Sequence, residues 1–288
     1  MLRALPALTS LFLLAALTAC TEDARDALRP SKTGCYVGSA SEVHLSAEQA
    51  SNAATIAAVG MRDGMDEHAV AVAITTAMQE SELINVDYGH DDSLGLFQQR
   101  PSMGWGSEEE LMDPVYASFK FYEKLQRTDG WQDMRLAEAA QAVQISAYPE
   151  LYEQWESDAE VIADAFAGGE EAGLVCVSGS ADEKAADPAA LAEAYEYHWG
   201  TSVSDVEETR LVIETGGAAE GWNRAAWAVA RAYDHHIATV SFNGMVWTAG
   251  EEEWSEPAAE VDGDADGEAQ VVEVADSTAV LVTFAAPE

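Results

Sequence analysis

The sequence predicts a mainly α first domain followed by a small α+β domain. Three observations carry that expectation. Apolar residues recur at helical spacing behind clear cap signals between residues 46 and 168. A strong hairpin signal, Asn243-Gly244 between two β-rich runs, lies in the second half. A small, polar stretch over residues 177–188 separates the two and reads as a linker.

At the start, Arg3 gives one positive charge and residues 4–17 form an apolar run that contains Pro6. The run is too short to span a bilayer and reads as an export signal over residues 1–19. The small residues before Cys20 fit a bacterial lipobox, which makes Cys20 the lipidated first residue of the mature chain. An ordinary secreted protein with a chance cysteine there is the alternative. Residues 20–38 are then a polar tether, membrane contact is through the lipid anchor only, and the rest lies outside the cytoplasm. There, the two remaining thiols, Cys35 and Cys176, are expected to oxidise together and bracket the first domain. Closing so long a loop stabilises by roughly 4–5 kcal/mol in the chain-entropy account.

From Ser39 to Gly168 the pattern is helical. Ser46 and Gln49 form a capping-box pair ahead of an Ala-rich helix that runs to about Met61. Asp66 caps the next helix, whose Val70, Ile74, Ala77 and Met78 repeat on one face up to Glu80. Residues 84–112 are loop-like. Asp113-Pro114 starts a helix with Val115, Phe119, Tyr122 and Leu125 as its stripe, and two further helices occupy about 134–146 and 149–166. Beyond the linker, residues 189–288 offer helices at about 189–198 and 218–234 and strands at 210–213, 238–242, 245–248, 270–275 and 278–284.

With 52 acidic and 14 basic residues the formal charge is −38. Nucleic acid and anionic headgroups are therefore excluded as partners by like-charge repulsion. The acidity itself carries no catalytic information.

The chemistry is concentrated where the second helix ends. Glu80-Ser81 is followed, after a polar loop, by Asp92-Ser93-Leu94-Gly95-Leu96-Phe97-Gln98. This combination resembles the Glu-Ser … Gly-Leu-(Met/Phe)-Gln signature of the soluble lytic transglycosylase and goose-type lysozyme family. The resemblance covers about residues 40–168. It implies a lysozyme-like domain over residues 39–176 that cleaves β-1,4 bonds of peptidoglycan glycan strands, with Glu80 as general acid and then base. Such an acid must have its pKa raised by apolar walls, and Leu83, Leu96 and Phe97 stand in the motif to supply them. In that family Gln98 lies in the sugar cleft. The family's later Ala-Tyr-Asn element matches Ala147-Tyr148, but Pro149 replaces Asn, so a polar contact falls to Gln144, Gln141 or Ser146. Tyr148 is then expected near the substrate.

Other residues are open to two readings. Ser93 is a turn residue or a sugar contact, and Trp105 stacks on a sugar or plugs the core. Asp92 is a loop carboxylate or, facing Glu80 at about 6.5–9.5 Å, the second carboxylate of an inverting hydrolase. No second carboxylate is needed if the substrate's N-acetyl group assists and its own 6-hydroxyl attacks. The rival functional reading is a wall-binding lipoprotein whose cleft holds glycan without cutting it.

No cofactor is expected. Asp262, Asp264, Asp266 and Glu273 satisfy a calcium-loop pattern, but Ala269 and the strand-like residues 271–274 favour a plain acidic loop. His235-His236 lacks a third ligand.

Overall fold

The computed structural model describes residues 33–39, 42–177, 186–257 and 278–285. About half of the chain is helical, with two small antiparallel sheets. The expected calcium loop, the 270–275 strand, Cys20 and most of the linker lie outside the described residues.

The first sheet corrects the all-helical expectation. Strands β1 (Gly34–Val37), β2 (Val43–Leu45) and β3 (Leu174–Val177) pair in the order β2-β1-β3. Cys35 and Cys176 are direct register partners and are disulfide-bonded, across 141 positions of sequence. The bridge thus joins the strands by which the chain enters and leaves the helical region.

Helix α1 (Ala47–Arg62) begins with the capping box of Ser46 and Gln49. Its Ala-rich face is buried, and small side chains let neighbouring helices approach on several sides. Helix α2 (Glu67–Ser81) is capped by the Asp66 side chain and is apolar almost all round, as befits a central helix. It ends where Glu82 and Leu83 both turn to positive φ. The loop that follows contains a short 3-10 turn (Pro101–Met103) and α3 (Glu108–Leu111), the latter set by a Ser107/Glu110 capping box. Helix α4 (Pro114–Gln126) starts at its Asp113 cap. Helix α5 (Leu136–Gln144) stops where Ile145 turns to positive φ, and the helix expected at 149–166 is shortened, because residues 149–155 form a separate 3-10 segment (Pro149–Trp155) before α6 (Glu156–Ala167).

In the second half, α7 (Pro188–Trp199), β4 (Asp205–Val206), β5 (Arg210–Glu214), α8 (Ala218–Val229) and α9 (Ala232–His235) precede the hairpin. That hairpin is β6 (Ile237–Phe242) with β7 (Met245–Thr248), turning at Asn243-Gly244, and β8 (Ala279–Phe284) closes the set. The order is β4-β5-β8-β6-β7. Gly221 is where α8 lies closest to this sheet: a Cβ there would stand 1.8 Å from the Phe242 ring.

From Thr33 onward the described residues form one compact unit. Helix α8 packs on α6, where Asn223 donates to the Phe166 carbonyl at 2.8 Å, and Trp254 Nε1 donates to the Leu174 carbonyl at 2.8 Å. Deeper still, Arg231 is 3% exposed and reaches across to α1. Its guanidinium donates to Thr55 Oγ1 at 2.7 Å and to His198 Nδ1 at 2.8 Å, and it lies 4.4 Å from the Trp227 ring centroid. Burial, with Arg231 beside it, pushes the His198 pKa down to about 2, so the ring is a neutral acceptor. Burial also lowers Arg231 to about 9, which still leaves it cationic at neutral pH.

Candidate active site around Glu80

Helix α2 delivers Glu80 to its C-terminal end, and the neighbouring chain is fastened to that end through backbone carbonyls. Ser81 Oγ donates to the Ala77 carbonyl at 3.1 Å and to the Leu96 carbonyl at 2.7 Å. Two amides of α1 cover the next carbonyls, Gln49 on Glu82 at 2.8 Å and Asn52 on Leu83 at 2.7 Å. These donors fasten the turn after the helix, and the loop beside it, to α1 and α2.

The Gly-Leu-Phe-Gln segment is a tight loop closed by reciprocal Leu94–Gln99 backbone hydrogen bonds of 2.9 and 3.0 Å. Gly95 is required in it: φ is +74°, and a Cβ would stand 2.4 Å from the Leu111 carbonyl oxygen. Leu96 and Phe97 are fully buried, and Phe97 stacks on Phe121 with centroids 4.7 Å apart. The motif therefore builds a rigid apolar wall beside the acid.

Glu80 itself is partly buried. Tyr152 donates its hydroxyl to Glu80 Oε1 at 2.5 Å. The nearby Gln144 amide donates to the Phe97 carbonyl at 2.7 Å. Burial raises the Glu80 pKa above the ordinary 4.5, and the Tyr152 hydrogen bond and the Gln144 amide only partly oppose it. No ion pair to Glu80 exists among the described residues. The site is an acid held by neutral donors. Burial and the adjoining Glu80 carboxylate raise the Tyr152 hydroxyl pKa, so it remains a donor.

Tyr152 was not singled out by the sequence pattern. Tyr148, which the pattern placed near the acid, is 64% exposed, and no side-chain hydrogen bond from it is present among the described residues. Pro149 explains the displacement, since it begins the 3-10 segment in which residues three apart lie on one face. Tyr152 and Trp155 share that face, and both meet the end of α2: Trp155 Nε1 donates to Gln79 Oε1 at 3.0 Å. Proline in place of the family's Asn, with Tyr and Trp three apart behind it, was the available signal.

The remaining candidates are placed as follows. Gln98 sits at φ +47°, and its amide donates to the carbonyls of Tyr88 at 3.2 Å and Gly95 at 3.4 Å, so it braces its own loop. Ser93 is buried at 8% exposure, and its backbone N–H donates to the His90 carbonyl. Trp105 packs against the core with Lys124 Nζ 4.5 Å from its ring centroid. Asp92 is fully engaged in closing the loop. It accepts from Ser102 N at 2.7 Å, Arg100 Nε at 2.8 Å and Ser102 Oγ at 2.9 Å. Those donors, the Ser102 amide first, hold its pKa down at about 2. Arg100 also pairs with Asp91 at 3.1 Å, so these groups form one cluster that fastens the loop.

Two well-formed pockets lie elsewhere: one is apolar beside the disulfide and Trp247, the other is acidic between Glu67 and Asp164. Neither is lined by Glu80 or by the residues that hydrogen-bond it. Among the described residues no group of His, Cys, Asp or Glu is arranged to hold a metal ion, and no helix is long and apolar enough to cross a membrane. No family model matches this chain, and no curated protein matches it either. The functional reading accordingly rests on the geometry and on the motif.

Proposed function

We propose that the protein is a lysozyme-like, lipid-anchored enzyme outside the cytoplasm that cleaves β-1,4 bonds of peptidoglycan glycan strands. The observation that carries this is Glu80: a partly buried carboxyl, raised in pKa by burial and bonded by the Tyr152 hydroxyl, with no ion pair to it among the described residues. A general acid at near-neutral pH needs that environment. The Cys35–Cys176 bridge suits an oxidising compartment.

In the first step the Glu80 carboxylic acid gives its proton to the glycosidic oxygen as the C1–O bond breaks. Asp92 is committed to Arg100 and Ser102, which favours assistance from the substrate's own N-acetyl group. The Glu80 carboxylate then accepts the proton of the 6-hydroxyl as that oxygen bonds to C1, leaving a 1,6-anhydro end.

The test is digestion of purified peptidoglycan by the ectodomain and by Glu80→Gln, with mass spectrometry of released muropeptides. Wild type is expected to release anhydro-ended products, and the variant to be slower by about 10²-fold or more. Reducing ends in place of anhydro ends would assign water as the acceptor. Equal release by both proteins would refute the enzymatic reading.

A further inference from the structure

Two consecutive residues at the end of α2 receive two residues of the 3-10 segment that stand one turn apart. Glu80 Oε1 accepts from the Tyr152 hydroxyl at 2.5 Å, and Gln79 Oε1 accepts from Trp155 Nε1 at 3.0 Å. Gln79 Oε1 also accepts from Gln154 Nε2 at 3.1 Å, and the same Gln154 amide donates to the Leu151 carbonyl at 2.9 Å. One side-chain carbonyl oxygen thus takes two donors, the number that its lone pairs allow. Both donors are N–H groups, so the Gln79 amide is held with its oxygen towards the segment.

Gln79 and Glu80 are neighbours on a helix, where adjacent side chains do not face each other. Among the described residues no hydrogen bond joins the two side chains. The route from Gln79 to the acid therefore runs through the segment. Residues 152 and 155 share a face of the 3-10 turn, so fixing Trp155 fixes where Tyr152 points. The segment's other polar fastening is Arg135 on Glu153 at 3.3 Å and on Glu156 at 2.7 Å. The Arg135 side chain is 54% exposed, and ion pairs so placed hold little.

We infer that Gln79 is a positioning residue for the acid: by holding Trp155 and Gln154 on one oxygen, it sets the Tyr152 hydroxyl on Glu80 Oε1. An oxygen that already accepts a hydrogen bond is the less basic of the two, so the transferable proton sits on Oε2. The catalytic consequence rests on the reading of Glu80 as the working acid. The coupling of Gln79 to Glu80 is a property of the folded protein and is measured without substrate.

The experiment is a carboxyl-carbon NMR titration of the full chain in detergent, with the Glu80 signal identified by its absence from Glu80→Gln. The Tyr152 bond favours the carboxylate, so Tyr152→Phe is expected to move the Glu80 titration to higher pH. Gln79→Leu is expected to move it in the same direction. The two together should titrate as Tyr152→Phe alone, because they act through one chain of contacts. Trp155→Phe combined with Gln154→Ala removes the same two bonds from the other side and should give the same upward shift. That variant decides the matter if Gln79→Leu does not fold. A residue that only supports the fold would lower the Tm and leave the Glu80 titration in place, which overturns the inference. So does a Gln79→Leu shift that persists in full beside Tyr152→Phe. In muropeptide release Gln79→Leu is expected to be slower by about tenfold or more, and release equal to that of an active wild type also overturns it. If the titrations behave as expected while wild type releases no muropeptides, the catalytic reading falls and the positioning stands. If wild type cleaves and the Glu80 titration ignores Gln79, the reverse is true.

Discussion

Two buried charge sites in this protein are built on opposite plans. At the end of α2, Glu80 is a carboxyl with neutral donors around it and solvent on one side. At the junction of α1, α7 and α8, Arg231 is a guanidinium with neutral acceptors around it and no solvent. Among the described residues neither forms an ion pair, although the Asp234 charge acts on Arg231. The outcomes differ because of the groups' intrinsic chemistry. Burial raises the Glu80 pKa towards the range in which it can exchange a proton. The same penalty brings Arg231 only to about 9, leaving it charged, so its hydrogen bonds and its contact with Trp227 fix structure. A lone buried acid can work on a proton; a lone buried arginine ties two halves together.

The largest test of this contrast in stability is Arg231→Ala. It leaves Thr55 Oγ1 without its Arg231 donor, leaves His198 Nδ1 with Trp227 Nε1 alone, and opens space against Trp227. A loss of about 3–5 kcal/mol is expected, read as a lower urea midpoint. A change under 1 kcal/mol would show that the guanidinium does not bind the halves together.

His198 gives an intermediate effect with a defined pH sign. Its folded pKa is about 2 against an ordinary 6.5, so below 6.5 the unfolded chain takes up a proton that the folded one refuses. Stability should therefore fall as pH drops from 6.5, by about 1.4 kcal/mol per pH unit for that single proton. His198→Gln keeps an acceptor for Arg231 and should flatten this slope by about one proton in equilibrium unfolding. An unaltered slope would assign the acid sensitivity to other groups.

The smallest effect has the opposite sign. The folded-state pKa of Glu80 is raised, so its contribution to stability is fully present below 4.5 and is lost as pH rises through the folded value. Glu80→Gln removes the ionised form and should stabilise at neutral pH, with no gain at pH 4. Thermal melts at the two pH values check it. A destabilised variant at neutral pH would mean that the carboxylate, as an ion, is well solvated or paired.

Much of this was legible from local signals. Ser46/Gln49, Asp66 and Asp113-Pro114 each satisfy a helix start within a few residues, and each helix begins where they stand. Asn243-Gly244 specifies its hairpin for the same reason. The first sheet was not read, because its strands are three or four residues long and two of its three partners meet across more than a hundred positions. Its local traces are short: Val43-His44-Leu45 with valine and leucine buried, and Cys35-Tyr36-Val37 with its two ends buried. Within the site, the apolar residues Leu96 and Phe97 are buried, as their side chains dictate. The substitution of Tyr152 for Tyr148 is not dictated in this way, since it depends on how a 3-10 turn places a side chain against another helix.

The sequence by itself determined where helices and the hairpin begin, which cysteines remain to pair, and which acid closes an apolar helix. Those are properties of neighbouring residues: capping hydrogen bonds, turn dihedrals and periodic burial. Only the tertiary structure decided that Tyr152 holds Glu80, that Asp92 is spent on Arg100 and Ser102, and that Arg231 joins the two halves. Hydrogen-bond partners are chosen by distance in space, and a polar side chain with several donors or acceptors within reach has no preference written in its own segment of chain.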